Sequence, residues 1–184
     1  MKDKLLELAE QAQKEPIYSD SRFPPSLYYR FLKLLVREFK PKIAVELGVC
    51  GGGGSLHMAL GNEKTTVIGV DISWDHEENI HHIQKTCKNF VFHLGDSITS
   101  AEKIHEQFGE VGLLFIDTDH RYTRTIEEFN AWKPYLSKGA LVCFDDIHRH
   151  HPADVKGMRD AWNEVKGNKQ RIDYLHEGSY PYGS

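Results

Sequence analysis

At 184 residues, 40% of them hydrophobic, the chain is long enough for one domain with its own core, because domains most often hold roughly 100–150 residues and seldom split below about 250. Its 23 basic and 27 acidic residues leave a net charge of -4, which argues against a nucleic-acid partner, since gripping phosphate backbones takes a basic face. Cys50, Cys87 and Cys143 form no CxxC pair for zinc or redox work, so a reducing, cytoplasmic setting is expected.

The first residues mix charges with leucines at helical spacing, unlike a signal peptide or a membrane span, and no membrane partner is expected. Leu5, Leu8 and Ala12 share one face of a short helix, Pro16, Pro24 and Pro25 mark the loop behind it, and Ser26 is placed to cap a second helix. That helix, Leu27–Phe39, carries Tyr28, Phe31, Leu32, Leu35 and Phe39 three or four residues apart and should stop at Pro41.

From residue 43 the pattern changes to short apolar runs ending in Gly or Asp, alternating with longer amphipathic stretches. This predicts an α/β fold with a doubly wound, mainly parallel sheet and helices on both faces. The expected strands are 43–47, 66–70, 90–94, 111–116 and 140–144, and the expected helices 55–60, 76–86, 97–108, 124–136 and 154–166. In such sheets ligands sit beyond the carboxyl ends of the strands, so function should be sought there.

The first strand runs into Gly48, Val49 and Cys50 and then four glycines, Gly51 to Gly54, before Ser55. Glycines between a buried strand and a helix let a ligand lie against main-chain amides, whereas a functionless flexible loop is the plain alternative. The spacing does not follow GxGxxG, so a nicotinamide oxidoreductase is the weaker reading. Asp71, at the end of the second strand, can accept both hydroxyls of a ribose, or simply cap a helix. Trp74 could stack on a purine, although packing is the commoner fate of a lone tryptophan.

Asp117, Asp119 and His120 follow the fourth strand, and Asp145 and Asp146 the fifth. Carboxylates crowded at one sheet edge repel, and a hard divalent cation such as Mg2+ offsets the cost. His120 has the chemistry of a general base near neutrality. His148, His150 and His151 could instead join Asp145 in a transition-metal site, but a zinc hydrolase leaves the glycine loop unexplained.

Glu46, Gly48 and the glycines behind them resemble motif I of class I S-adenosylmethionine-dependent methyltransferases. The stretches FIDTDHRY (115–122) and WKPYLSKGALVCFDD (132–146) narrow the resemblance to the metal-dependent O-methyltransferases of the macrolide-sugar and cephalosporin-hydroxylase-like group, methyltransferase family 24 type. This implies a Rossmann-like domain over 41–184, with residues 1–40 as N-terminal helices that cover the active site within the same domain. It implies cofactor contacts from Glu46, Gly48, Gly52, Ser55, Asp71, Asp96, Ser97 and Asp117, with Asp96 and Ser97 toward the adenine and helix capping as their plain alternative.

The same resemblance makes Asp117, Asp145 and Asp146 the Mg2+ ligands and His120 the catalytic base. The expected activity is cation-assisted transfer of a methyl group to a hydroxyl of a small molecule, a sugar or a phenol, with a catalytically silent binding protein as the alternative from another class. DNA methylation is disfavoured because no NPPY-like segment follows the fourth strand. The glycine loop is one residue longer than the family's E-x-G-x-x-x-G-x-S, and only 171–175 and 179–184 remain for the family's final antiparallel strands. A homodimer through the N-terminal helices is the expected assembly.

Overall fold

The computed structural model describes residues 2–147 and 155–167. Strands β1 (Ile43–Leu47), β2 (Thr66–Asp71), β3 (Phe90–Leu94), β4 (Val111–Ile116) and β5 (Leu136–Phe144) pair in parallel, in the order β3-β2-β1-β4-β5. The order reverses between β1 and β4, which opens a crevice at their carboxyl ends. Both faces are covered, so all five residues of β1 are buried, and the central strands read as continuous apolar runs.

Side chains alternate across the sheet and split the core in two. Ala44, Val67, Leu113 and Phe115 pack under the helices α1 (Lys2–Ala12), α2 (Leu27–Phe39), α3 (Gly53–Gly61) and α4 (Glu77–Thr86). Ile43, Val45, Leu47, Ile68, Val70, Leu114 and Ile116 pack on the other face, against α5 (Ser100–Phe108) and α6 (Tyr122–Trp132). Leu8 and Ala12 of α1 and Leu32 and Leu35 of α2 share one cluster with the sheet, with α1 packed against α2 and α2 against α3.

Several boundaries depart from the sequence pattern for local reasons. The amphipathic stretch 124–136 does not stay helical, because Pro134 lacks an amide; α6 ends at Trp132 and Lys133–Tyr135 tightens into a 3-10 turn. Leu136 is thereby released to pair with Val111, and β5 begins four residues before the expected 140. Helix α5 starts at Ser100 instead of 97, because the Asp96 carboxylate accepts the amides of Ile98 and Thr99, both at 3.0 Å, and holds the chain in a turn. α3 begins at Gly53, two residues earlier than expected.

Ser26 stands at the start of α2 in extended conformation, but its hydroxyl makes no capping bond. The helix ends at Lys40, whose left-handed backbone lets its amide reach the carbonyl of Val36 just before Pro41. α7 (Met158–Glu164) is shorter than the expected 154–166. His148, His150 and His151, and the possible strands 171–175 and 179–184, lie outside the described residues. Among the described residues no helix is long and apolar enough to cross a membrane.

Candidate active site

Strand register lines up Gly69, Glu46, Phe115 and Cys143 across the sheet. Pairing then continues past the strand ends: Gly48 donates its amide to Val70 at 2.9 Å, Asp117 to Leu47 at 2.9 Å, Asp145 to Ile116 at 3.1 Å and Gly95 to Asp71 at 2.8 Å. These bonds fix Gly48, Asp117 and Asp145 on a rigid edge beside the crevice.

The glycine loop is dense for reasons internal to the protein. Gly48 has φ +84, and a Cβ there would strike the carbonyl oxygen of Asp117 and lie 2.8 Å from its carbonyl carbon. At Gly53 a Cβ would enter the ring of Tyr29, and at Gly54 it would collide with the Glu46 carboxylate. Gly52, φ +82, would press on Ile83 at 2.5 Å. Gly51 differs, since only the Asn79 amide nitrogen comes near, at 3.8 Å; it is the member of the run with open space for a ligand.

Glu46 is 1% exposed and accepts a hydrogen bond from the Ser55 hydroxyl. Burial drives its carboxyl well above the usual range against the pull of that bond, and the charges of Asp117 and Asp71 push the same way. A group with a raised folded pKa adds stability below its unfolded value of 4.5, and that stability is lost as pH rises through the folded value. Glu46→Gln, which keeps an acceptor for Ser55, should therefore flatten the fall in stability from pH 4 to pH 8. In thermal melts the variant should gain on the wild type as pH rises; an unchanged pH slope would contradict the assignment.

Asp71 is tied to the loop rather than to a helix. One carboxylate oxygen accepts the amides of Val49 at 2.8 Å and Cys50 at 2.9 Å, and the other that of Ser73 at 3.1 Å. Asp96 holds the turn before α5 and pairs with Arg124 at 2.5 Å, which holds its carboxyl below the usual range. Ser97 is buried, with its hydroxyl bonded to Glu128 at 2.5 Å. Asp96 thus holds the turn ahead of α5, whose N-cap is Thr99, while the Ser97 hydroxyl is engaged by the protein itself.

The acid cluster forms beyond β4 and β5. One ligand atom from each of Asp117, His120 and Asp145 falls within 4.8 Å of the others. His120 Nε2 is 3.2 Å from Asp117, 3.8 Å from Asp145 and 3.8 Å from Asp146. The third member of the tight group is His120, therefore, and Asp146, more exposed, stands at its side. Burial lowers the His120 pKa, but the hydrogen bond to Asp117 and the nearby carboxylates of Asp145 and Asp146 outweigh it and bring it up to about 9. Burial raises Asp117 to about 7, opposed by the bond from His120 and aided by the Asp145 charge. His120 and Asp146 have φ of 57 and 44, and Cys50 of 45; such backbone is uncommon outside glycine, and here it gathers on the crevice rim.

Helix α2 supplies what the sequence did not reveal. Its first turn lays Tyr28 and Tyr29 side by side, ring centroids 4.2 Å apart, with Tyr29 stacked on His57 at 5.4 Å and Tyr28 6.3 Å from Phe115. Burial first, then Tyr29 and the Asp117 charge, raise the Tyr28 phenol. Ile72, beside Asp71, is 74% exposed. Trp74 packs on Phe92 at 4.7 Å and stays partly exposed.

A model of the methyltransferase domain matches residues 45–147, more than half of the chain, and the chain belongs to that family. With this fold, it is of the class I S-adenosylmethionine-dependent kind. An uncharacterized protein of Acanthamoeba polyphaga mimivirus is 27% identical over 84% of this chain and 76% of its own. Among solved structures, the Bacillus cereus O-methyltransferase in complex with SAH is 18% identical, covers 88% of this chain and 76% of its own, and superposes with a TM-score of 0.64. The tomaymycin-synthesis O-methyltransferase of Streptomyces achromogenes, in complex with SAM, gives 17%, 89%, 76% and 0.61. A TDP-rhamnose 3′-O-methyltransferase of calicheamicin biosynthesis gives 18%, 89%, 84% and 0.55.

Proposed function

We propose that the protein transfers the methyl group of S-adenosylmethionine to a hydroxyl oxygen of a small acceptor, a sugar or a phenol, beside a divalent cation. The observation that carries this is the convergence of Asp117, His120 and Asp145 from two strand ends at the crevice where the glycine loop and Asp71 also meet. Carboxylate oxygens suit Mg2+ or Mn2+; Asp117 and Asp145 would hold the ion, with Asp146 next to them. Bound there, it would supply the Lewis acidity that makes an acceptor hydroxyl more acidic.

The chain's own residues do the rest. Glu46, Gly48, Gly52 and Ser55 shape the methionine side of the cofactor pocket, Asp71 lies toward its ribose, and Asp96 and Ser97 line the base side, where Ile72 and Trp74 offer apolar surface for a purine. His120, left neutral where a cation on Asp117 and Asp145 offsets the carboxylate charges that raise it, takes the acceptor proton, and Tyr28 and Tyr29 roof the site against water. Much of the acceleration then comes from alignment of the two reactants.

The test is methyl transfer from labelled S-adenosylmethionine to a panel of sugars and phenols. Activity should vanish in EDTA and return with Mg2+ or Mn2+, and Asp145→Asn should lose at least about tenfold. Full turnover in chelator removes the cation from the reaction, and absence of transfer to every hydroxyl acceptor, with SAH still bound, favours a silent binding protein.

A further inference from the structure

Three residues of α6 spaced four apart, Arg124, Glu128 and Trp132, form one stripe aimed at the loops after β3 and β4. Glu128 is 0% exposed, and its two oxygens serve different loops. One accepts the Ser97 hydroxyl at 2.5 Å, in the loop after β3; the other accepts the Thr118 hydroxyl at 2.9 Å, in the loop that carries Asp117 and His120. Arg124 reinforces the first arm, donating to Glu128 at 3.1 Å, to Ser97 at 2.8 Å and to Asp96 at 2.5 Å. The Trp132 indole closes it on the Ser97 carbonyl at 2.8 Å.

A single buried carboxylate thus joins the segment on the nucleoside side to the segment on the cation side. Neither arm can move without disturbing the other, because an abandoned partner would remain buried and unsatisfied. We infer that Glu128 is a positioning residue that couples the two binding events, so that the adenosyl ligand and the divalent cation each strengthen binding of the other. This rests on the function proposed above for the same crevice, and the coupling must be reciprocal.

The test uses the whole chain, with SAH affinity measured by calorimetry with and without saturating Mn2+, and Mn2+ affinity by electron paramagnetic resonance with and without SAH. Each ligand should tighten the other roughly fivefold or more in the wild type. Thr118→Val, which removes only the hydroxyl, should bring the factor to about one and leave SAH affinity without cation within about twofold. Thr118→Ser, which restores the hydroxyl, should restore the coupling, an outcome that simple loss of packing would not give.

Ser97→Ala, which removes the direct bond of the other arm while Arg124 still links Glu128 to Asp96, should weaken the coupling and stands in if Thr118→Val does not fold. Wild-type coupling retained in both variants, or a wild type that binds both ligands independently, overturns the inference. A wild type that binds neither SAH nor Mn2+ overturns the proposed function itself, and the coupling falls with it.

Discussion

Gly48→Ala should destabilise the protein by about 3 kcal/mol or more, enough to threaten folding at ordinary temperature. A left-handed backbone costs a non-glycine residue roughly 1–2 kcal/mol, and φ here is +84. The added methyl also meets the Asp117 carbonyl and the Cα of Thr118 at 3.0 Å; both are backbone held by the sheet, and overpacking of that kind costs about 1–3 kcal/mol. Gly51→Ala is the control: with only Asn79 near, at 3.8 Å, stability should change by less than about 1 kcal/mol. Urea unfolding of the two variants is the measurement, and a Gly48→Ala protein as stable as Gly51→Ala would refute the packing account.

His120→Asn should reduce turnover by about 10²- to 10⁴-fold, the usual value of a positioned acid or base, with SAH affinity unchanged. Asparagine is the suitable replacement because His120 has φ 57, and asparagine tolerates that conformation where alanine would add strain. The ring contributes contacts to Asp117, Asp145 and Asp146, so Mn2+ affinity measured on the same variant separates a base from a cation ligand. Turnover within tenfold of the wild type would remove His120 from the proton-transfer step.

Much of the scaffold was readable because burial on both faces leaves a simple signature. β1, β3, β4 and α2 occur at the expected residues, since unbroken apolar runs and a clear three-four periodicity each admit one arrangement. β5 was read short because Pro134 and Gly139, with φ +82, interrupt a stretch whose start is chosen by pairing with Val111. Asp117, His120 and Asp145 stood out as charged groups directly after apolar runs, a placement that predicts a strand-end rim. Which of the acids would share the tight group with His120 depends on loop geometry that no spacing rule contains.

By itself, then, the order of residues determined the parallel sheet, the glycine loop after β1 and the acids that end the strands, because hydrophobic period and chain punctuation are local properties. Only the tertiary structure decided what the glycines touch, that Tyr28 meets Phe115, and that Glu128 spans two loops. Those contacts join residues far apart in the chain, and their partners are selected by strand order and helix packing, which are properties of the whole fold.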